Sequence, residues 1–125
     1  MMSDVWPTGI RVSKDRRTLT VSFDDGAACA LSAEMLRVLS PSAEVQGHGP
    51  GQKLTVPGKC NVAIASVQPT GNYAVRIGFD DGHDTGIYTW TYLHELGERG
   101  EQLFADYERE LAEKGLSRDI GAKPR

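Results

Sequence analysis

The sequence predicts an α+β domain: a twisted, mostly antiparallel sheet built from two strand–turn–strand–helix units, followed by a C-terminal helix. Three observations predict it. Short runs alternate apolar and polar residues with the period of a half-buried strand, at 10–13, 18–23, 62–67 and 73–79. The tetrapeptide Phe23-Asp24-Asp25-Gly26 recurs as Phe79-Asp80-Asp81-Gly82, each time closing one of those runs. Each copy is followed by a short strand, a Ser or Thr, and apolar residues at helical spacing, Leu36 and Leu39 in the first unit and Leu93 and Leu96 in the second.

Each element has a local reason. Ile10 and Val12 share one face of the first strand; Leu19, Val21 and Phe23 share one face of the second. Polar Ser13–Arg17 predicts the turn between them. Asp25-Gly26 predicts a hairpin with positive φ at both central residues, and a third strand over 27–31 returns from it. Ser32 is placed to cap a short helix that ends near Leu39, because Pro41 turns Ser40 away from helical ψ. Residues 40–53 hold three glycines and two prolines, which predicts a long irregular loop, a common place for function. Pro69-Thr70-Gly71-Asn72 predicts the turn between the strands over 62–67 and 73–79. Asp81-Gly82 leads to a short strand over 86–88, and Thr89 caps a helix over 90–97. A separate last helix over 98–114 aligns Leu103, Phe104, Tyr107 and Leu111, with Gly115 as its stop. The two units are expected to share one sheet. Residues 1–97 form the domain, 98–115 the C-terminal helix, and 116–125 a flexible tail with little to bury.

Composition narrows the function. A chain of 125 residues is one domain's length, and 39% hydrophobic with 25% charged residues is an ordinary globular balance. No apolar run approaches the roughly 20 residues a membrane span needs. The net charge of −3 comes from residues 32–98, where Arg37, Lys53, Lys59 and Arg76 face seven acidic side chains. That field repels an anionic polymer, so neither nucleic acid nor membrane is an expected partner. Cys29 and Cys60 stand 31 residues apart, the wrong spacing for a metal or redox pair. The first residues lack a signal peptide's basic start and apolar run, so a cytoplasmic location with free thiols is expected.

The second unit reads Gly71-Asn72-Tyr73-Ala74-Val75, then Phe79-Asp80-Asp81-Gly82-His83-Asp84-Thr85-Gly86-Ile87-Tyr88-Thr89-Trp90, then Leu93. It resembles the small N-terminal domain of γ-butyrobetaine hydroxylases, which also occurs as the free-standing bacterial DUF971 family of unknown function and as a module on some iron–sulfur cluster carrier ATPases. The resemblance covers residues 6–97, and the loop Ser40-Pro41-Ser42-Ala43-Glu44-Val45 with Gly47-His48-Gly49 is similar to the stand-alone bacterial form. In the hydroxylases the catalytic iron sits in a separate downstream domain, which this chain is expected to lack. None of His48, His83 and His94 has an acidic residue two positions later, so the facial triad is missing as well. The resemblance also implies a structural zinc held by three cysteines and a histidine. The matching positions are Ser40, Ser42, Val45 and His83, so the thiolate site is absent and the loop must be held by packing and hydrogen bonds.

What the resemblance implies for a site is a surface that joins the loop Ser42–Gly51 to the turn Asp81–Gly86, with Glu44, His48, Asp81, His83 and Asp84 as its polar residues. Trp90 is the candidate aromatic anchor, flanked by Tyr88 and Tyr92. No cofactor is expected. The alternative is iron or another divalent metal on His48 and His83, with Glu44, Asp81 or Asp84 nearby. The glycine-rich run Gly47–Lys53 lacks the Gly-Lys-Ser/Thr ending of a phosphate loop, and Asp80, Asp81 and Asp84 lack the donors of a calcium loop. The expected function is therefore a non-enzymatic accessory or protein-interaction module with an unidentified protein partner. The alternatives are a metal-binding protein in iron or iron–sulfur handling and, third, a small enzyme.

Overall fold

The computed structural model describes residues 6–46 and 55–119. Strands β1 (Pro7–Val12), β2 (Thr18–Phe23) and β3 (Ala28–Ser32) form one antiparallel sheet in the order β1-β2-β3. Helices α1 (Ala33–Val38) and α2 (Ala43–Gln46) follow. Strands β4 (Ile64–Thr70), β5 (Ala74–Phe79) and β6 (Gly86–Thr89) form a second sheet in the order β4-β5-β6, and α3 (Trp90–Glu113) leaves it. The α+β antiparallel architecture is the predicted one, but the two units build a sheet each instead of sharing one. Their apolar faces still enter a single core: Leu19, Val21 and Phe23 with Val75, Ile77 and Phe79, under Leu36, Leu93 and Leu96. Helix α3 packs on both β3 and β6.

The repeated tetrapeptide marks a repeat of the whole unit. β1 pairs Pro7 with Phe23, slips at a bulge, and resumes with Gly9 opposite Ser22. β4 pairs Ile64 with Phe79, slips at the same point, and resumes with Ser66 opposite Gly78. The Phe23 amide donates to Ala27 O at 2.8 Å and the Phe79 amide to His83 O at 2.9 Å. Ser32 caps α1 through the Met35 amide, and Thr89 caps α3 through the Tyr92 amide, both at 3.0 Å. The units also meet reciprocally, as two-fold partners do. Asp25 of the first turn bonds His94 of the second unit's helix, and Asp81 of the second turn bonds Arg37 of the first unit's helix. Arg37 and His94 hold the same place, directly after Leu36 and Leu93. Cys29 faces Gly97, and Gly86 faces Ser40, again the same two positions exchanged.

Several local expectations are corrected. Each Asp-Gly closes a three-residue hairpin with positive φ at the glycine alone, 88° at Gly26 and 93° at Gly82. The preceding aspartate stays in ordinary space because its carboxylate accepts an amide two residues on, Ala27 or His83. Pro69 and Thr70 lie in β4, which tolerates a proline because it is an edge strand, so the turn tightens to Gly71–Tyr73. The loop after α1 contains a helical turn, α2, started by the Ser42 hydroxyl on the Glu44 amide and anchored by buried Val45. The two expected C-terminal helices are one, continuous through Gly97 and Glu98. Gly97 is there for closeness: a Cβ on it would come 2.7 Å from Cys29 Cβ. Within the expected flexible tail, Ser117 O and Arg118 O accept the amides of Gly58 and Cys60 at 2.8 and 2.9 Å. Among the described residues, no helix is long and apolar enough to cross a membrane.

Candidate functional site

The site is built where the second hairpin turn meets the end of α1. β5 and β6 present His83, Asp84 and Thr85 on the turn, while α1 ends at Leu39 and hands Ser40 and Ser42 to the same place. Tyr88 and Tyr92 of the second unit hold that end in position. The Tyr88 hydroxyl donates to Leu36 O, and the Tyr92 hydroxyl donates to Leu39 O at 2.5 Å, satisfying carbonyls that a short helix leaves open.

His83 is the hub. It is buried, with Nε2 2.9 Å from Ser40 Oγ and Nδ1 2.9 Å from Glu44 Oε1. A carboxylate only accepts, so Nδ1 carries the proton in the neutral ring and Nε2 accepts from the Ser40 hydroxyl. Ser40 Oγ in turn accepts the Ser42 amide at 3.2 Å. Ser42 Oγ and Thr85 Oγ1 are 2.7 Å apart and give the loop a second link to the turn. Burial and the nearby Arg37 charge push the imidazole below its usual pKa, against the opposite pull of Glu44 and Asp81. Asp81 bonds Arg37 at 2.8 Å and Lys59 at 2.6 Å. Burial raises its carboxyl, but Lys59, the His83 amide and Arg37 outweigh that and hold it at about 2.

Ser40, His83 and Glu44 have the connectivity of nucleophile, base and orienting acid. Their burial is the reverse of what that chemistry needs. Ser40 is 0% exposed, so no substrate reaches its hydroxyl, while the Glu44 side chain is 62% exposed. A working triad exposes the nucleophile and buries the acid. The arrangement is therefore a brace: it ties the loop Ser40–Gln46 to the turn Asp81–Thr85.

Of the sequence-predicted residues, Glu44, Asp81 and His83 come together, with Asp84 exposed on the same turn. His48, with the rest of the stretch 47–51, lies outside the described residues. Trp90 is partly buried, not displayed, and its indole N–H donates to Asn72 O at 2.9 Å. The repeat explains why. The matching carbonyl in the first unit, Arg16 O, takes the Ile64 amide at 2.7 Å. The residue matching Ile64 is Pro7, which has no amide hydrogen, so the Trp90 indole supplies the donor that Pro7 lacks. The exposed rings are Trp6 and Tyr73. Arg37, Lys59 and Thr85 join the site without having been singled out; in the sequence they read as ordinary polar side chains.

The chain matches, over residues 10–94, the family described as γ-butyrobetaine hydroxylase-like, N-terminal. It belongs to that family. Two solved relatives of this γ-butyrobetaine hydroxylase-like N-terminal domain are NMR solution structures. One is 47% identical, covers 97% of this chain and 95% of its own, and has a TM-score of 0.83. The other is 41% identical, covers 100% and 98%, and has a TM-score of 0.79. A third is the crystal structure of a protein of unknown function from Acidithiobacillus ferrooxidans that belongs to the DUF971 family. It is 40% identical, covers 73% of this chain and 91% of that one, and has a TM-score of 0.60. No curated protein matches the chain.

The zinc implied by the resemblance does not fit the residues present. Ser40 and Ser42 offer neutral hydroxyls, buried Val45 offers no donor, and both nitrogens of His83 are already bonded. Hydrogen bonds join the loop to the turn at the positions where thiolates would have met the histidine.

Proposed function

We propose that the protein is a non-enzymatic accessory module that binds a protein partner through the face around Glu44, Asp84 and Thr85, with His83 bracing it. One observation supports this reading above others. The repeat contains its own control. At the first turn the pair matching His83 and Ser40 is Ala27 and Gly97, so that turn packs on its helix with no buried side-chain hydrogen bond at this point, its polar link being the more exposed Asp25–His94 pair. The scaffold needs only small residues there, and the second turn with the end of α1 carries a buried histidine, two serines and a threonine instead. Buried polar networks fix geometry more than they add stability. Here the network holds an exposed glutamate at a set place beside an exposed aspartate, which suits a basic patch on a partner.

The test is the double variant S40G/H83A, which gives the contact at the second turn the residues that the contact at the first turn already has. The expected variant folds, melts cooperatively, and loses a protein that the wild-type chain retains on purification. A folded variant that keeps that protein at wild-type affinity, while changes on the outer face of α3 release it, places the site elsewhere.

A further inference from the structure

The last described residues form a strap across a different face. After α3 the chain reverses at Gly115, with φ 67°, and runs back over residues 58–60. Residues 112–119 are all exposed, so little apolar burial holds the strap down. Among the described residues, these contacts hold it. The amides of Gly58 and Cys60 donate to Ser117 O and Arg118 O at 2.8 and 2.9 Å. The Arg118 guanidinium forks onto Glu34, with Nε and Nη2 each 2.7 Å from a different carboxylate oxygen. The same guanidinium lies 5.2 Å from the centre of the Phe104 ring and 3.5 Å from Glu108.

Glu34 makes this more than a surface contact. It lies on α1, 6% exposed, and Arg118 is the one cation paired with it among the described residues. A carboxylate that deep is costly without a partner. The helix places it regardless, and the charge that completes it arrives from outside the stretch 10–94 that matches the family. Planar fork, aromatic face and second carboxylate together select a guanidinium over an ammonium. The two backbone bonds select an extended segment.

We propose that Glu34, Phe104, Glu108 and the amides of Gly58 and Cys60 form a recognition site for an arginine in an extended peptide, filled here by Ser117–Arg118. A partner segment of the same pattern takes the site when the strap lifts. This site adjoins the His83 site at Lys59, whose side chain bonds Asp81, but it uses other groups, and neither proposal depends on the other.

The experiment uses the full chain carrying R118A and the capped peptide Leu-Ser-Arg-Asp as probe, followed by amide NMR shifts and melting temperature. The expected result is saturable binding that shifts the Gly58 and Cys60 amides and raises the melting temperature. Wild type binds the peptide at least about tenfold more weakly, because its own strap competes. A lysine or citrulline peptide also loses about tenfold or more, because neither carries a charged fork. If R118A does not fold, R118K keeps a cation at Glu34 and serves the same titration. A folded variant whose Gly58 and Cys60 amides do not respond, or one that binds the lysine peptide equally well, overturns the proposal.

Discussion

The His83 ring accepts a hydrogen bond from Ser40, 43 residues earlier in the chain, at 2.9 Å. The two residues come from different copies of one repeated unit, and the matching pair, Ala27 and Gly97, has no polar side chain to share. The bond is thus a buried point at which the two halves differ in chemistry.

Burial and Arg37 keep the folded imidazole below its ordinary pKa of about 6.5, although Glu44 and Asp81 pull the other way. The unfolded chain therefore binds a proton that the folded chain does not. Stability falls as pH drops through about 6.5 and levels off below the folded pKa. Melting curves from pH 8 to pH 5 show a steeper fall for wild type than for H83A; parallel curves contradict the assignment.

Gly86 is held small by Ser40. A Cβ there would sit 2.5 Å from Ser40 Oγ and 3.0 Å from a Tyr88 ring carbon, and both side chains are fully buried. G86A costs about 1–3 kcal/mol in denaturant unfolding. Adding S40G recovers about 1 kcal/mol, because the first unit already packs a side chain at this position, Cys29, against a glycine. Full additivity of the two changes contradicts the pairing.

Gly26 and Gly82 carry a backbone cost with no steric one. Both have positive φ, and nothing lies within 4 Å of a Cβ built on either. G26A and G82A each lose about 1 kcal/mol, by nearly the same amount because the turns are the same turn. Unfolding curves that superimpose on wild type refute this.

These outcomes separate what the sequence makes legible from what it does not. Alternation and the repeated Phe-Asp-Asp-Gly point to two equivalent units, because strand period and turn chemistry are local. The division into two sheets is not local: it depends on which edges meet across the core. The single helix α3 is hidden by Gly97, which reads as a break but serves close approach to Cys29. At the site, His83 and Glu44 are visible as polar residues near glycines. Arg37 and Lys59 are not, since nothing in a sequence distinguishes a cation paired with Asp81 from a solvated one. Arg118 is missed for the same reason: its value lies in Glu34, 84 residues away.

Hydrogen bonds join the loop to the turn where thiolates are absent, and we propose that they hold it without metal. Melting temperature measured with and without excess chelator is unchanged; a drop of many degrees identifies a structural ion.

The central claim is that the face beside His83 meets a partner and its repeat-related counterpart does not. Thr85 and Ala28 are both exposed and occupy matching places after the two turns. A photo-crosslinking amino acid at each position, irradiated in the cell, compares the two faces of one molecule. The account predicts a discrete protein adduct from position 85 and none from position 28; the absence of an adduct at 85, or the same adduct from both, contradicts it.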